Sequence, residues 1–278
     1  MTHPALTSAS VAVITGGASG IGLAIASEYA RLGMRVVVVD RAADKLSAAE
    51  ERLRAAGAAE VMTADTDISD RAAVEALEAR VAEAFGGTDI LMANAGIGVS
   101  SSCLGPREAW ETTLGVNLWG PVHCCQAFVP RMIARGRPGF IVNTGSKQGI
   151  TTPPGNPAYN VSKAGLKAYT EALAHELRNT EGAALTAHLL IPGFVHTGMT
   201  GRAEKPPAAW TTEQTAAFFL ESLARGDFYI LCPDNDVPRA LDEKRIAWAV
   251  GDLIENRPAL SRWHPDYAEA FAAHVKQS

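Results

Sequence analysis

Val11-Ala12-Val13-Ile14-Thr15-Gly16-Gly17-Ala18-Ser19-Gly20-Ile21-Gly22 is the stretch on which the fold of this 278-residue chain turns. Val11 to Ile14 is a continuous apolar run, the pattern of a strand buried on both faces of a parallel sheet. Leu23, Ile25, Ala26, Tyr29 and Ala30 then repeat at helical spacing. A strand running through a glycine-rich turn into a helix N-terminus makes an anion site. Glycines allow the tight turn and close backbone approach, and the free N–H groups of the first helical turn meet a pyrophosphate. Gly16, Ser19, Gly20, Ile21 and Gly22 are the expected contacts. Their spacing, Gly16-x-x-x-Gly20-x-Gly22, differs from the commoner G-x-G-x-x-G, and a merely flexible turn is disfavoured by the strand before it and the helix after it.

Working outward, the next apolar run, Arg35 to Val39, ends in Asp40. A carboxylate at the end of the second strand can accept a hydrogen bond from an adenosine ribose 2′-OH and repels a 2′-phosphate. NAD(H) is therefore favoured over NADP(H), with the following Arg41 as a partial offset. Strand patterns recur near Glu60–Thr63, Asp89–Ala93, Gly139–Thr144, Leu185–Leu190 and Phe228–Cys232. Helical patterns fall near Gly20–Leu32, Asp44–Ala56, Arg71–Phe85, Glu108–Arg135, Ala158–Thr180 and Thr212–Arg225. This alternation predicts an α/β fold, a Rossmann-type doubly wound parallel sheet with helices on both faces, forming a single domain with an extended C-terminal helical tail. Gly16, Asp40, Asn94, Ser146 and Pro192 all follow predicted strands, so one crevice at the strand C-terminal ends can collect them.

Tyr159 and Lys163 stand four residues apart in Tyr-Asn-Val-Ser-Lys, with Ser146 upstream in Asn-Thr-Gly-Ser. On a helix, positions i and i+4 share a face. A phenol titrates near pKa ~10, too high for a base at neutral pH, and a neighbouring ammonium favours the phenolate and lowers that value. Ser146 could hold a substrate oxygen that Tyr159 protonates or deprotonates. Taken alone, Tyr-x-x-x-Lys also fits an ordinary amphipathic helix.

With these motifs in this order, the chain resembles the short-chain dehydrogenases/reductases over residues 8 to 200. Thr15-Gly16-x-x-x-Gly20-x-Gly22 is similar to the family's cofactor turn, and Asp67-Ile68 to its adenine contact. Asn94-Ala95-Gly96-Ile97 is similar to its Asn-Ala-Gly motif, and Asn117 with Ser146, Tyr159 and Lys163 to its catalytic tetrad. Pro192-Gly193-Phe194-Val195-His196-Thr197 resembles its nicotinamide-side segment. The resemblance implies Tyr159 as general acid/base, and Lys163 lowering its pKa and holding the nicotinamide ribose. Ser146 would polarise the substrate oxygen and Asn117 anchor a water that relays the proton to solvent. Asp67, Ile68, Asn94, Ala95, Gly96, Pro192, Gly193, Val195 and Thr197 would contact the cofactor. It also implies a mobile substrate loop at 194–215, with Met199 and Trp210 as apolar candidates for touching substrate, and a homodimer or homotetramer through the two long helices.

The chain departs from the family pattern in two places. Lys147-Gln148-Gly149 stands where the family carries small residues. We expect Lys147 to face water, the alternative being contact with a polar or acidic substrate. The end lacks the family's Val-Asp-Gly-Gly-like segment. Instead, residues 233–278 form an extension beyond a cofactor-binding and catalytic unit at 1–232, with helices expected at Ala240–Ile254 and from Asp266. Trp248 and Trp263 in this extension suit either the chain's own core or a cover or subunit contact. Thr151 to Pro157 is a stiff approach to Tyr159.

Composition narrows the remaining classes. Apolar residues make up 47% of the chain, without a run long enough to span a bilayer. Met1 to Ser10 lack a signal-peptide pattern, and a net charge of −5 argues against nucleic acid. The four cysteines form no Cys-x-x-Cys pair, and Cys124 and Cys125 sit among apolar helix residues, so core thiols and a cytoplasmic setting are expected. His196 has no companion at ligand spacing, so no metal is expected. The function expected is hydride transfer between a nicotinamide cofactor and a secondary alcohol or ketone of small-molecule size. A non-catalytic NAD-binding sensor and an epimerase or dehydratase on the same fold remain alternatives.

Overall fold

The apolar runs form parallel strands, seen here in a computed structural model that describes residues 3–276. The strands are β1 (Val11–Thr15), β2 (Arg35–Asp40), β3 (Glu60–Asp65), β4 (Ile90–Ala93), β5 (Gly139–Thr144), β6 (Leu185–Ile191) and β7 (Tyr229–Leu231). They lie in the order β3-β2-β1-β4-β5-β6-β7, and every neighbouring pair is parallel. The order reverses between β1 and β4, which opens a crevice above their C-terminal ends.

Alternation along the strands divides the core in two. Ile14, Val38 and Met92 face a layer with Ile25 and Tyr29 of α1 (Gly20–Arg31), Leu46 of α2 (Ala43–Ala56) and Phe219 of α8 (Thr212–Arg225). Val13, Val37 and Leu91 face Leu77 of α3 (Arg71–Phe85), Phe128 of α5 (Gly120–Ala134) and Leu173 of α7 (Pro157–Asn179). With both faces covered, β1, β4 and β5 are buried along their whole length. Cys124 and Cys125 are buried in the second layer, and all four cysteines are free thiols. The remaining helices are α4 (Arg107–Leu114), α6 (Gln148–Thr151), α9 (Arg239–Ile254) and α10 (Ala268–Lys276).

The helix expected over Glu108–Arg135 is not continuous. A π turn, Gly115–Trp119, separates α4 from α5 and carries Asn117. The local cause lies at Gly120 and Pro121. Pro121 cannot donate a helical hydrogen bond, and Gly120 lets the backbone close on Ile68, whose Cδ1 would lie 2.5 Å from any Cβ there. The short helix α6 stands where no helix is expected, runs up to the stiff Thr151–Pro157 approach and is capped by Thr152, whose φ is +42°.

The tail builds a small core of its own. Trp248 of α9 is buried, and its indole N–H donates to Ser261 Oγ at 2.8 Å. The Arg257 guanidinium lies 4.1 Å from its ring centroid and Phe271 of α10 packs edge-on at 5.4 Å. Trp263, by contrast, remains partly exposed. No helix among the described residues is long and apolar enough to cross a membrane. Of the first ten residues, Met1 and Thr2 lie outside the described residues.

Candidate active site

The glycine turn after β1 has the geometry that its residue types allow. Gly16 and Gly20 have φ of +62° and +57°, left-handed values that glycine adopts without strain. Ser19 is the N-cap of α1 and makes no side-chain cap, so the first amides of this helix remain pointed at the crevice. Gly22 does not line the crevice. It lies behind the turn, where a Cβ would stand 2.4 Å from Gly16 O and 2.6 Å from Asn94 Nδ2. Gly22→Ala should therefore weaken NADH at least about tenfold and lower Tm by several degrees, through a clash that only backbone movement relieves. Calorimetric titration with a thermal melt checks both.

Asn94 ties three strand ends together. Its Nδ2 donates to Thr15 O at 3.2 Å and Gly16 O at 3.3 Å, and its Oδ1 accepts from Thr144 Oγ1 at 3.3 Å. Thr15 Oγ1 in turn accepts from the amides of Asn94 and Ala95 at 3.0 and 3.1 Å. At the end of β2, Asp40 accepts from the backbone of Ala18, Arg41 and Ala42. These bonds fix the carboxylate at the crevice edge. Arg41 turns to Asp67, 3.1 Å away.

The tetrad residues come from three elements: Asn117 from the π turn, Ser146 from the segment after β5, and Tyr159 and Lys163 from α7. Ser146 follows β5 and its Oγ accepts from Gln148 N at 3.2 Å. Asn156 caps α7 by accepting from Tyr159 N, and Ser101 Oγ accepts from Ala158 N at 3.1 Å, which fixes the start of the helix that carries Tyr159. The Lys163 ammonium is buried 5.8 Å from the Tyr159 ring centroid and donates to Thr144 O at 2.7 Å. Asn117 is fully buried. Its Oδ1 accepts from Ile97 N at 2.8 Å and its Nδ2 donates to Ile97 O at 2.9 Å, so the side chain clamps the loop after Gly96.

Burial, opposed by the hydrogen bond with Ser146, pushes the Tyr159 phenol above its ordinary value. Burial also pulls the Lys163 ammonium down to about 8. The net lowering of the phenol expected from Lys163 is not found: burial prevails, and the opposing influence is the bond with Ser146. Desolvation drives both groups towards their neutral forms.

One cleft of about 810 Å³ collects nearly all the residues singled out in the sequence. Gly16, Ser19, Gly20, Ile21, Asp40, Arg41, Asp67, Ile68, Asn94, Ala95 and Gly96 line it. So do Ser146, Tyr159, Lys163, Pro192, Gly193, Val195 and Thr197. Gly22 and Asn117 stand behind its wall. Met199 lines it, but Trp210 does not: its backbone bonds Phe194 and His196, and its ring packs on Phe218. The cleft's Thr66, Lys45 and Val116 went unread, as did the anchoring roles of Thr15 and Thr144, because a strand-end threonine carries no motif. Lys147 does not face water, nor does it line this cleft. It is paired with Asp234 and Asp242 of the tail, at 3.3 and 2.6 Å. Among the described residues no cluster of His, Cys, Asp or Glu could hold a metal.

Residues 10–208 match the short chain dehydrogenase family. The chain belongs to this family. Over 266 residues it is 32% identical to the 1-deoxy-11-beta-hydroxypentalenate dehydrogenase of Streptomyces exfoliatus, covering 91% of this chain and 93% of that one. Among solved structures, a short chain dehydrogenase/reductase from Burkholderia phymatum in complex with NAD superposes with a TM-score of 0.81 at 32% identity, over 90% of this chain and 95% of that one. A metagenomic short-chain oxidoreductase in complex with NADP superposes with a TM-score of 0.66, also at 32% identity, over 79% and 91%. As a short-chain dehydrogenase/reductase, this protein is an NAD(P)-dependent oxidoreductase acting on CH–OH groups. The positive-φ glycines and open helix N-terminus fit the pyrophosphate of such a cofactor, and the anchored Asp40 fits its adenosine ribose.

Proposed function

We propose that this enzyme interconverts a secondary alcohol and its ketone, with NAD(H) as the preferred cofactor and Tyr159 as general acid/base. The observation that carries the reading is that Ser146, Tyr159 and Lys163 line the same cleft as Asp40 and the glycine turn. The bound nicotinamide supplies the hydride acceptor or donor. In the oxidative direction, Ser146 Oγ holds the substrate oxygen and Tyr159 Oη takes its proton. Lys163 stabilises the resulting phenolate and would hold the nicotinamide ribose. The side chain of Asn117 is committed to Ile97, so the water we assign to it for proton exit would bond its backbone carbonyl in the π turn. Asp67 and Ile68 would flank the adenine, while Pro192, Gly193, Val195 and Thr197 would receive the nicotinamide. Ile97, Phe194 and Met199, with Gln148 as the polar exception, suit a substrate with an apolar body.

Residues 1–232 would carry cofactor binding and catalysis, with 194–215 as the substrate loop and 233–278 as an extension packed on α6. We place the enzyme in the cytoplasm as a homodimer or homotetramer. Exposed Trp119, beside α5, and Val161 of α7 support assembly through these helices.

Fluorescence titration with NADH and NADPH, followed by turnover of a panel of secondary alcohols with NAD, tests the proposal. Tight NADH binding with turnover is expected; binding without turnover of any alcohol would favour a sensor. Asp40→Ala should shift the NADH/NADPH affinity ratio at least about tenfold towards NADPH, the scale of one charge-assisted hydrogen bond. An unchanged ratio would remove the ribose assignment.

A further inference from the structure

Lys147 follows Ser146 directly, yet its side chain turns away from the substrate cleft into a cluster of charges beneath the C-terminal extension. Its ammonium stands 2.6 Å from Asp242 Oδ2 and 3.3 Å from Asp234 Oδ2. Both carboxylates are buried, and the lysine side chain is only 19% exposed. Arg245 and Arg262 line the small cavity beside them. A cationic group removed from water to this degree needs fixed counter-charges, and both of these come from beyond residue 232.

The cluster touches the active site at two points. Asp234 Oδ2 also accepts from Phe194 N at 3.1 Å, so the same oxygen holds the nicotinamide-side turn and the lysine. Gly193 fits between them only because it lacks a side chain: a Cβ there would stand 2.8 Å from Asp234 Oδ2 and 3.0 Å from Lys147 Nζ. On the other side, Lys147 O accepts from Ile150 N at 3.0 Å and Thr151 N at 3.1 Å, and Ser146 O accepts from Gly149 N at 3.0 Å. These bonds close α6, and α6 is pressed against α7 at Lys163: a Cβ on Gly149 would stand 2.5 Å from the Lys163 carbonyl carbon. The second carboxylate, Asp242, belongs to α9 and accepts no bond from the active-site segments except the ion pair with Lys147.

We infer that Lys147, Asp234 and Asp242 form a clasp through which the C-terminal extension positions the Gly193–Phe194 turn and the Ser146–Ile150 turn. Lys147 is a positioning residue and touches no reacting atom. This inference rests on the proposed reading of Ser146 and of the Pro192–Thr197 segment. It adds that this chain's unusual ending is part of the active-site framework, where a simple terminal appendage would leave the nicotinamide end unaffected.

The test compares NADH with ADP-ribose, which shares the adenine, both riboses and the pyrophosphate but lacks the nicotinamide. Lys147→Met and Asp242→Asn are titrated with each by calorimetry, and hydrogen exchange is followed in the same proteins. NADH should bind about tenfold more weakly in both variants, while ADP-ribose stays within about twofold of wild type. Lys147→Arg should recover most of the NADH affinity. The double variant Lys147→Met/Asp242→Asn should be no weaker than Lys147→Met alone, as expected for partners in one interaction. Exchange should quicken at the amides of Gly149 and Phe194 and stay slow at Val13 and Val142 of the central strands. Unchanged NADH affinity would overturn the clasp, as would equal losses of NADH and ADP-ribose, which would mark general destabilisation. If Lys147→Met does not fold, Asp242→Asn decides alone, because it leaves Lys147 its second partner. Wild-type protein that binds neither ligand would refute the cofactor reading beneath the inference, and that result is distinct from a missing split in the variants.

Discussion

Tyr159→Phe is expected to cut turnover about a thousandfold or more and leave NADH affinity within about twofold. A positioned general acid/base contributes about 10²–10⁴ in rate, and the phenol oxygen is the group that the variant removes. The ring keeps its place, because its position is set by the Asn156 cap and the packing of α7, neither of which uses the hydroxyl. Ser146 loses one hydrogen-bond partner but retains the donor amide of Gln148. The stability change should be small, about 1 kcal/mol, since the buried hydroxyl and its single bond leave together. Steady-state assays with any alcohol that wild type oxidises, beside a fluorescence titration with NADH, separate the two effects. Substantial turnover in the variant would remove Tyr159 from the chemistry and leave the cleft as a binding site.

The fold was legible wherever one residue type served one purpose. The apolar runs at Val11, Arg35 and Gly139 became β1, β2 and β5 because strands covered on both faces need no polar alternation. The positions of Gly16, Asp40, Asn94, Ser146 and Pro192 after strands are enough to place them on one sheet edge, and all five line the cleft. The π turn at Gly115–Trp119 was not legible, since the residues on either side continue a helical pattern and only the contact of Gly120 with Ile68 shows the conflict. The burial of Lys147 escapes the sequence for a related reason. A lysine in a turn is ordinarily solvated, and its two counter-charges lie 87 and 95 residues further along the chain, so nothing local signals its burial. Thr15 holds the site through its Oγ1, which meets the amide after β4, and Thr144 through its carbonyl, which meets Lys163 of α7. Such long-range bonds follow from the sheet order, which the sequence suggests without specifying register.

Lys163→Met is expected to move the alkaline limb of alcohol oxidation upward and, at pH 8, to lower turnover about a hundredfold. On the proposed mechanism oxidation draws on the phenolate of Tyr159, and burial raises the phenol, so the oxidative rate should climb with pH in the wild type. An ammonium whose Nζ lies 5.8 Å from the ring centroid would favour the phenolate, an opposite charge at such range being worth about one to two pH units. Removing it should shift the limb by on the order of one to two units, which a pH–rate profile measures. The same burial predicts a second signature, in stability. Lys163 falls from 10.5 to about 8 on folding, so between these values the unfolded chain binds more protons than the native one. Unfolding free energy therefore rises with pH across that window. Below pH 8 the native protein carries the full cost of a buried ammonium, and above 10.5 the cost has gone. Wild type should accordingly gain stability relative to Lys163→Met as pH increases from 8 to 10.5, read from urea melts of the two proteins without added nucleotide. A flat difference would mean that Lys163 keeps one charge state through folding, and the electrostatic account of Tyr159 would fall with it. A rising difference beside an unmoved kinetic limb would confine Lys163 to holding the ribose.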